Sequence, residues 1–165
     1  LGTLEEKIQA TDTADDLLTR LAYAGGDLLV ETMDGLAAGT MTPHEQSGEP
    51  SYAHKIAVED ARVNWQDSAE AIDRHIRAHT PAPGAWTMLG EERVKLGPVS
   101  LIGVDPALEG VALAPGEAHI TKKSVYVGTA DAAVKLERLQ VPGKKMMNAA
   151  DWARGLGGNK EVRFS

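Results

Sequence analysis

The chain has 165 residues, 42% of them hydrophobic and none of them cysteine, which excludes disulfides, thiolate metal sites and a cysteine nucleophile. Its 24 acidic and 17 basic residues give a net charge of −7. Residues 1–55, with ten acids against three bases, hold all of this excess, so the neutral remainder can still present a basic surface to an anionic partner.

The chain begins Leu1-Gly2-Thr3, with neither an initiator methionine nor the apolar run of a signal peptide. No apolar run approaches the ~20 residues that cross a bilayer. We therefore expect a piece of a longer, soluble and cytoplasmic protein that has no membrane partner.

The first predicted element is a long amphipathic helix over residues 13–38, in which leucines and Met33 recur at three- and four-residue steps. Thr13 and Asp16 form a capping pair at its start. Residues 41–55 follow with two prolines and no periodicity, which is the composition of a linker. The pattern predicts a domain boundary there.

A second helix is predicted over residues 68–79, with Ile72 and Ile76 on one face and Pro81 just beyond its end. Short strands then alternate with glycine- and proline-bearing turns. The five predicted strands are residues 85–89, 92–101, 118–121, 124–128 and 134–141.

The last predicted element is a short helix over residues 148–155, which begins at Asn148 and is closed by glycines up to Gly158. The whole order predicts a mainly β domain with flanking helices. Five short strands favour a small barrel, closed or half-closed, over a parallel sheet.

Six short motifs occur along the chain with the order and approximate spacing of one known family. They are Asp12-Thr13-Ala14, Tyr52-Ala53-His54-Lys55-Ile56, Glu59-Asp60-Ala61-Arg62-Val63-Asn64-Trp65, Ile76-Arg77-Ala78, Pro81-Ala82-Pro83-Gly84-Ala85-Trp86 and Gly143-Lys144-Lys145-Met146. Together they resemble the methionyl-tRNA formyltransferase family. The resemblance implies that residues 1–40 are the tail of a catalytic domain, residues 41–55 the interdomain linker, and residues 56–165 a C-terminal oligonucleotide-binding-fold (OB-fold) barrel that holds tRNA.

The resemblance also implies an activity for the parent protein. The C-terminal domain would bind initiator methionyl-tRNA while the N-terminal catalytic domain of the same protein formylates the methionyl amine from 10-formyltetrahydrofolate. The family's Asn-His-Asp site and folate-binding loop belong upstream of Leu1, so we expect no catalytic residue and no bound cofactor in this chain. A sugar-nucleotide formyltransferase and a non-catalytic RNA-binding module remain the alternatives.

Six cations are the candidate tRNA contacts. Two adjacent ammonium groups after a Pro-Gly turn can reach phosphate oxygens, which favours Lys144 and Lys145. The resemblance adds Lys55 at the domain border. The other candidates are Lys122 and Lys123 in a predicted hairpin turn, and Arg77 on the second predicted helix. The residues alone leave the alternative of solvated turn lysines, and of an Asp73–Arg77 ion pair on an exposed helix face.

Two further residue groups receive structural interpretations. His75 and His79 are four residues apart, but no third ligand lies near them in the sequence, so no metal site is predicted. The three tryptophans are predicted to anchor the small core rather than to stack on bases.

Overall fold

The computed structural model describes residues 1–157 and 161–165. Contacts divide the chain into two compact units, Leu1–Lys55 and Ile56–Ser165, which we call the first and the second unit. Assignment of residues 1–40 to a catalytic domain and of residues 41–55 to a linker stays a prediction.

The first unit contains one long helix, α1, at Ala14–Ala37. The Asp16 carboxylate accepts a hydrogen bond from the Thr13 amide at 2.9 Å, and the Thr13 hydroxyl accepts one from the Asp16 amide at 3.3 Å. The predicted helix and its capping pair are therefore confirmed. Arg20 ties the segment before the helix to α1 through Glu6 at 2.7 Å and Asp12 at 2.6 Å.

In its described residues, 56–157 and 161–165, the second unit is mainly β, with two α-helices and eight short strands. The helices are α2 at Ala69–Ala78 and α3 at Ala149–Gly155. The strands are β1 Trp86–Leu89, β2 Glu92–Leu96, β3 Val99–Leu101, β4 Ala118–Ile120, β5 Val125–Gly128, β6 Ala133–Leu136, β7 Arg138–Gln140 and β8 Met147–Asn148. Two 3₁₀ turns, Glu59–Ala61 and Pro106–Leu108, complete the unit.

The strands form two antiparallel sheets of four, with the orders β1-β2-β7-β8 and β3-β6-β5-β4. The predicted count of five strands is not confirmed: two of the predicted strands each contribute to both sheets, and β8 was not predicted. Residues 92–101 form β2 in the first sheet and β3 in the second, and residues 134–141 divide in the same way. Pro98 explains the break in the first case, since it has no N–H to continue the ladder.

The two divided segments still pair with each other through the corner. Lys95 faces Gln140 in the first sheet and Val99 faces Leu136 in the second, which is one unbroken register. At the corner the Gly97 amide donates to the Arg138 carbonyl at 2.9 Å. A Cβ at Gly97 would lie 3.3 Å from that of Arg138, so the close approach favours glycine.

Among the described residues, the strand pairings define two sheets and no closed barrel. The C-terminal segment, residues 162–165, adds single bridges on the side away from the corner. Its Ser165 carbonyl accepts from Met88 of β1 at 2.8 Å, and its Val162 carbonyl accepts from Ala118 of β4 at 2.9 Å. The OB-fold prediction is therefore not confirmed by the strand pairing.

The core lies between the two sheets and is closed by α2 and α3. It consists of Val94, Leu96, Val125, Val127, Val134, Leu136 and Leu139 from the strands, Ile72 and Ile76 from α2, and Trp65, Trp152 and Phe164. The core role predicted for Trp65 and Trp152 is confirmed. Trp86 is also buried, at 6% exposure, although it stands outside the main core cluster.

Helix α3 begins as predicted, because the Asn148 side chain accepts from the Ala150 amide at 2.8 Å. The predicted contribution of Gly158 to its closure lies outside the described residues. Over the part of the chain that the structure describes, no helix combines the length and apolar character needed to span a bilayer.

Candidate nucleic-acid interface

Strand β2 alternates between the core and solvent. Val94 and Leu96 are buried, whereas Arg93 and Lys95 are exposed on the opposite face of the first sheet. Because successive side chains of a strand point to opposite faces, the buried pair fixes the cations outward.

Strand β7 continues this outer face. Leu139 is buried, and Arg138 is exposed on the other side of the strand. The register places Gln140 directly opposite Lys95, so both point outward next to each other. The first sheet thus presents Arg93, Lys95 and Arg138 on one surface.

The turn between β7 and β8 extends that surface with Lys144 and Lys145, both exposed. Gly143 has a φ of +73°, which a glycine adopts without strain. The Gln140 side-chain amide donates to the Lys144 carbonyl at 2.7 Å, which fixes the turn to the end of β7. We call Arg93, Lys95, Arg138, Lys144 and Lys145 the basic face.

A groove of 360 Å³ connects the turn to the strands. Arg93 and Lys95 line one side of it, and Gln140 with Pro142 and Gly143 lines the other. Its lining includes two cationic side chains and the Gln140 amide, which can contact an anionic backbone.

The cations of the basic face are not neutralised from within the molecule. Within residues 1–157 and 161–165, none of the five forms an ion pair, and the outward positions of β1, β2 and β7 hold no acidic side chain. Elsewhere, Arg74 pairs with Glu70 on α2, and Lys135 lies 3.0 Å from Glu137. Five of the described cations that form no ion pair therefore lie on this one surface.

The other predicted contacts occupy different places. Lys122 and Lys123 are exposed in the β4–β5 turn, which belongs to the second sheet. The Thr121 hydroxyl fixes this turn by accepting from the Ser124 amide at 3.0 Å. The structure thus joins Lys144 and Lys145 to three further cations and leaves Lys122 and Lys123 on the other sheet.

Arg77 is held inside the molecule rather than presented to solvent. Its Nε lies 2.9 Å from the Asp73 carboxylate, and the two side chains are only 14% and 11% exposed. This is the ion-paired arrangement that the four-residue spacing favoured. Lys55 is exposed at the end of the first unit. The tRNA contacts of both residues stay predictions.

The sequence analysis missed Arg93, Lys95 and Arg138. The signal was present in Arg93-Val94-Lys95-Leu96 and Arg138-Leu139-Gln140, where cations or amides alternate with apolar residues. A period of two on both strands places these polar side chains on one face, but only the register shows that they are neighbours.

His75 of α2 and His79 just beyond its end lie against each other. Their ring centres are 4.3 Å apart, and Nδ1 of His79 lies 2.8 Å from the His75 carbonyl. Burial lowers the pKa of His75, and the neighbouring His79 lowers it further. No cluster of three or more possible metal ligands occurs among the described residues, so the structure offers no third ligand.

Residues 55–157 match the family described as "Formyl transferase, C-terminal domain". A methionyl-tRNA formyltransferase of Corynebacterium aurimucosum is 59% identical over 182 residues, covering 100% of this chain and 54% of the relative. That of Corynebacterium efficiens is 61% identical, over 99% of this chain and 51% of the relative. The chain thus spans about half the length of these curated relatives.

Solved structures agree at the level of the fold. A HypX variant from Aquifex aeolicus superposes with a TM-score of 0.63 at 21% identity, over 91% of this chain and 26% of that chain. HypX in complex with tetrahydrofolic acid gives 0.56 at 20% identity, over 83% of this chain and 26% of that one. The family match covers well over half of the sequence, and the chain belongs to the formyl transferase C-terminal domain family.

Proposed function

We propose that this chain is the tRNA-binding part of a methionyl-tRNA formyltransferase and that it holds initiator methionyl-tRNA on the basic face. The observation that supports this most directly is the set of five unpaired cations on β2, β7 and the β7–β8 turn. Unpaired cations on one surface release counterions from an RNA backbone when they contact its phosphates. Relatives at about 60% identity that are named for methionyl-tRNA support the same assignment.

In this proposal the chain acts by positioning the substrate. Contacts with the tRNA body provide binding energy that orients the distant methionyl end. The N-terminal catalytic domain of the same protein then transfers the formyl group of 10-formyltetrahydrofolate to the methionyl amine. The described residues would therefore bind and orient the tRNA, because the phosphates that they contact lie away from the methionyl amine and the formyl group.

The proposed fold is a half-open, OB-type barrel in which the C-terminal segment links the two sheets by single bridges. Residues 162–165 bridge β1 of one sheet to β4 of the other, and the divided strands join the sheets at the corner. Such a small rolled sheet presents its outer surface to a polymer while its interior stays filled with side chains.

Removal of two charges from the basic face tests the proposal. We expect Lys144→Gln with Lys145→Gln to weaken binding of an initiator tRNA transcript about tenfold or more. The slope of log Kobs against log salt should fall in magnitude by about two, because each lysine contacts about one phosphate. Filter binding across a series of KCl concentrations measures both quantities.

Arg74→Gln is the matched control, since the Arg74 guanidinium is exposed but already paired with Glu70. We expect this variant to keep both the affinity and the salt slope of the unmodified chain. An unchanged slope in the double lysine variant would remove the basic face from the binding site.

A sugar-nucleotide substrate fits this surface less well. Five cations spread over two strands and a turn exceed what the two phosphates of a sugar nucleotide need. Competition separates the two substrates: tRNA binding should persist when a sugar nucleotide is present at high concentration.

A further inference from the structure

Trp86 is buried but stands outside the main core cluster. Its indole N–H donates to the Val58 carbonyl at 2.7 Å, and it points to the outer face of β1, while the next residue, Thr87, is fully buried on the inner face. Trp86 stands directly opposite Lys95 of β2. It therefore lies within the outer surface that also presents the basic face.

Two guanidinium groups cover this ring. The central carbon of Arg62 lies 5.5 Å from the Trp86 ring centre, and that of Arg93 lies 5.3 Å from it. Both distances are within the range of a cation–π contact. The two guanidinium groups are thus held no more than about 11 Å apart, although like charges repel.

Arg62 reaches the sheet from the segment before α2. It forms a parallel bridge with Trp86, and the next residue, Val63, donates its amide to the Trp86 carbonyl at 2.8 Å. The Arg62 side chain is exposed, and it has no ion pair within the part of the chain that the structure describes. Its N–H donors therefore remain available to an anion.

The geometry points to Trp86 as a positioning residue for RNA binding, which holds Arg62 and Arg93 so that each contacts a backbone phosphate. This inference rests on the proposed function and deepens it. Arg62 then extends the basic face beyond the first sheet to the segment that follows the first unit. The planar guanidinium keeps its donors exposed at the edge while its face lies on the ring.

The first test removes Arg62. We expect Arg62→Gln to lower the magnitude of the tRNA salt slope by about one and the affinity several-fold. Because this side chain is exposed, the substitution should leave the thermal transition unchanged. An unchanged slope would overturn the inference. This test does not depend on whether a Trp86 variant folds.

The second test changes Trp86 and removes no charge. We expect Trp86→Leu to lower the slope by between about one and about two, and Trp86→Phe, which keeps an aromatic face, to preserve it. In the Trp86→Leu background, Arg62→Gln should then have little further effect, because the two residues act as one unit. A normal slope in a folded Trp86→Leu chain would contradict the positioning role.

The double lysine variant separates this inference from the proposed function. If it weakens binding while Arg62→Gln and Trp86→Leu do not, the inference fails alone. If no variant changes binding of the tRNA transcript, the proposed function fails with it. Circular dichroism shows whether the Trp86→Leu chain is folded. If it is not folded, the salt slope of Arg62→Gln alone tests the inference.

Discussion

Gly116 fixes the C-terminal segment to the second unit through its backbone. Its φ is +80°, and its carbonyl accepts from the Phe164 amide at 2.8 Å. A Cβ at this position would overlap the Phe164 carbonyl oxygen, so no other residue fits without moving the segment. One glycine thereby determines how the two sheets are bridged away from the corner.

We expect Gly116→Ala to destabilise the chain by about 2 to 4 kcal/mol, because it adds both backbone strain and a steric clash. Urea unfolding followed by circular dichroism measures the change. Gly90→Ala is the matched control: Gly90 also has a positive φ, of +60°, but its Cβ would meet open space. Equal losses in the two variants would show that the clash with the C-terminal segment is absent.

At the scale of elements, the corner between the sheets contains a small polar network. The Ser100 hydroxyl of β3 donates to the Glu137 carboxylate at 2.7 Å, and Lys135 of β6 lies 3.0 Å from it. Burial alone would raise the pKa of Glu137, but the Ser100 hydrogen bond and the Lys135 ammonium lower it on balance. The charged form of Glu137 is therefore favoured by the folded chain.

This network predicts a dependence of stability on pH. A carboxyl group whose pKa is lower in the folded state stabilises the fold above its unfolded pKa, and the contribution is lost as pH falls through the folded pKa. We expect the free energy of unfolding to decrease as the pH is lowered from about 7 to about 3. This decrease should be smaller for Glu137→Gln than for the unmodified chain. Identical pH profiles would show that Glu137 gains nothing from its partners on folding.

Local sequence patterns predicted where the strands lie but not how they pair. Alternation and turn residues located the β segments, including residues 85–89, because these signals are local. The corner at Gly97 was missed although a local signal was present: the apolar positions change phase at Gly97-Pro98, from Val94 and Leu96 to Val99 and Leu101. Arg93 and Arg138 were missed as a site for a different reason: cross-strand neighbours depend on register, which the single strands do not encode.

For the tryptophans, burial could be predicted from the sequence, but the place of burial could not. A large aromatic residue predicts burial, and all three are buried. Burial in the main core cluster does not follow, because Trp86 lies under Arg62 and Arg93 on the outer face. By contrast, the lysines after the Pro-Gly turn were identified directly, since a turn tip is exposed in almost any fold.

At the scale of the whole molecule, charge is divided between the units. Residues 1–55 carry the full net charge of −7, so their summed charge disfavours an RNA, and Lys55 is their one predicted contact. Residues 56–165 are neutral in total but present five cations without an ion pair on the basic face. The location of charge, rather than its sum, is what qualifies the second unit for an anionic partner.

The salt dependence of tRNA binding by the whole unmodified chain tests this account most directly. The five cations of the basic face and Arg62, each contacting one phosphate, predict a slope of log Kobs against log salt between about −4.2 and about −5.4. Filter binding of an initiator tRNA transcript over a KCl series gives this slope. A value near zero, or no binding at the lowest salt concentration, would contradict the account.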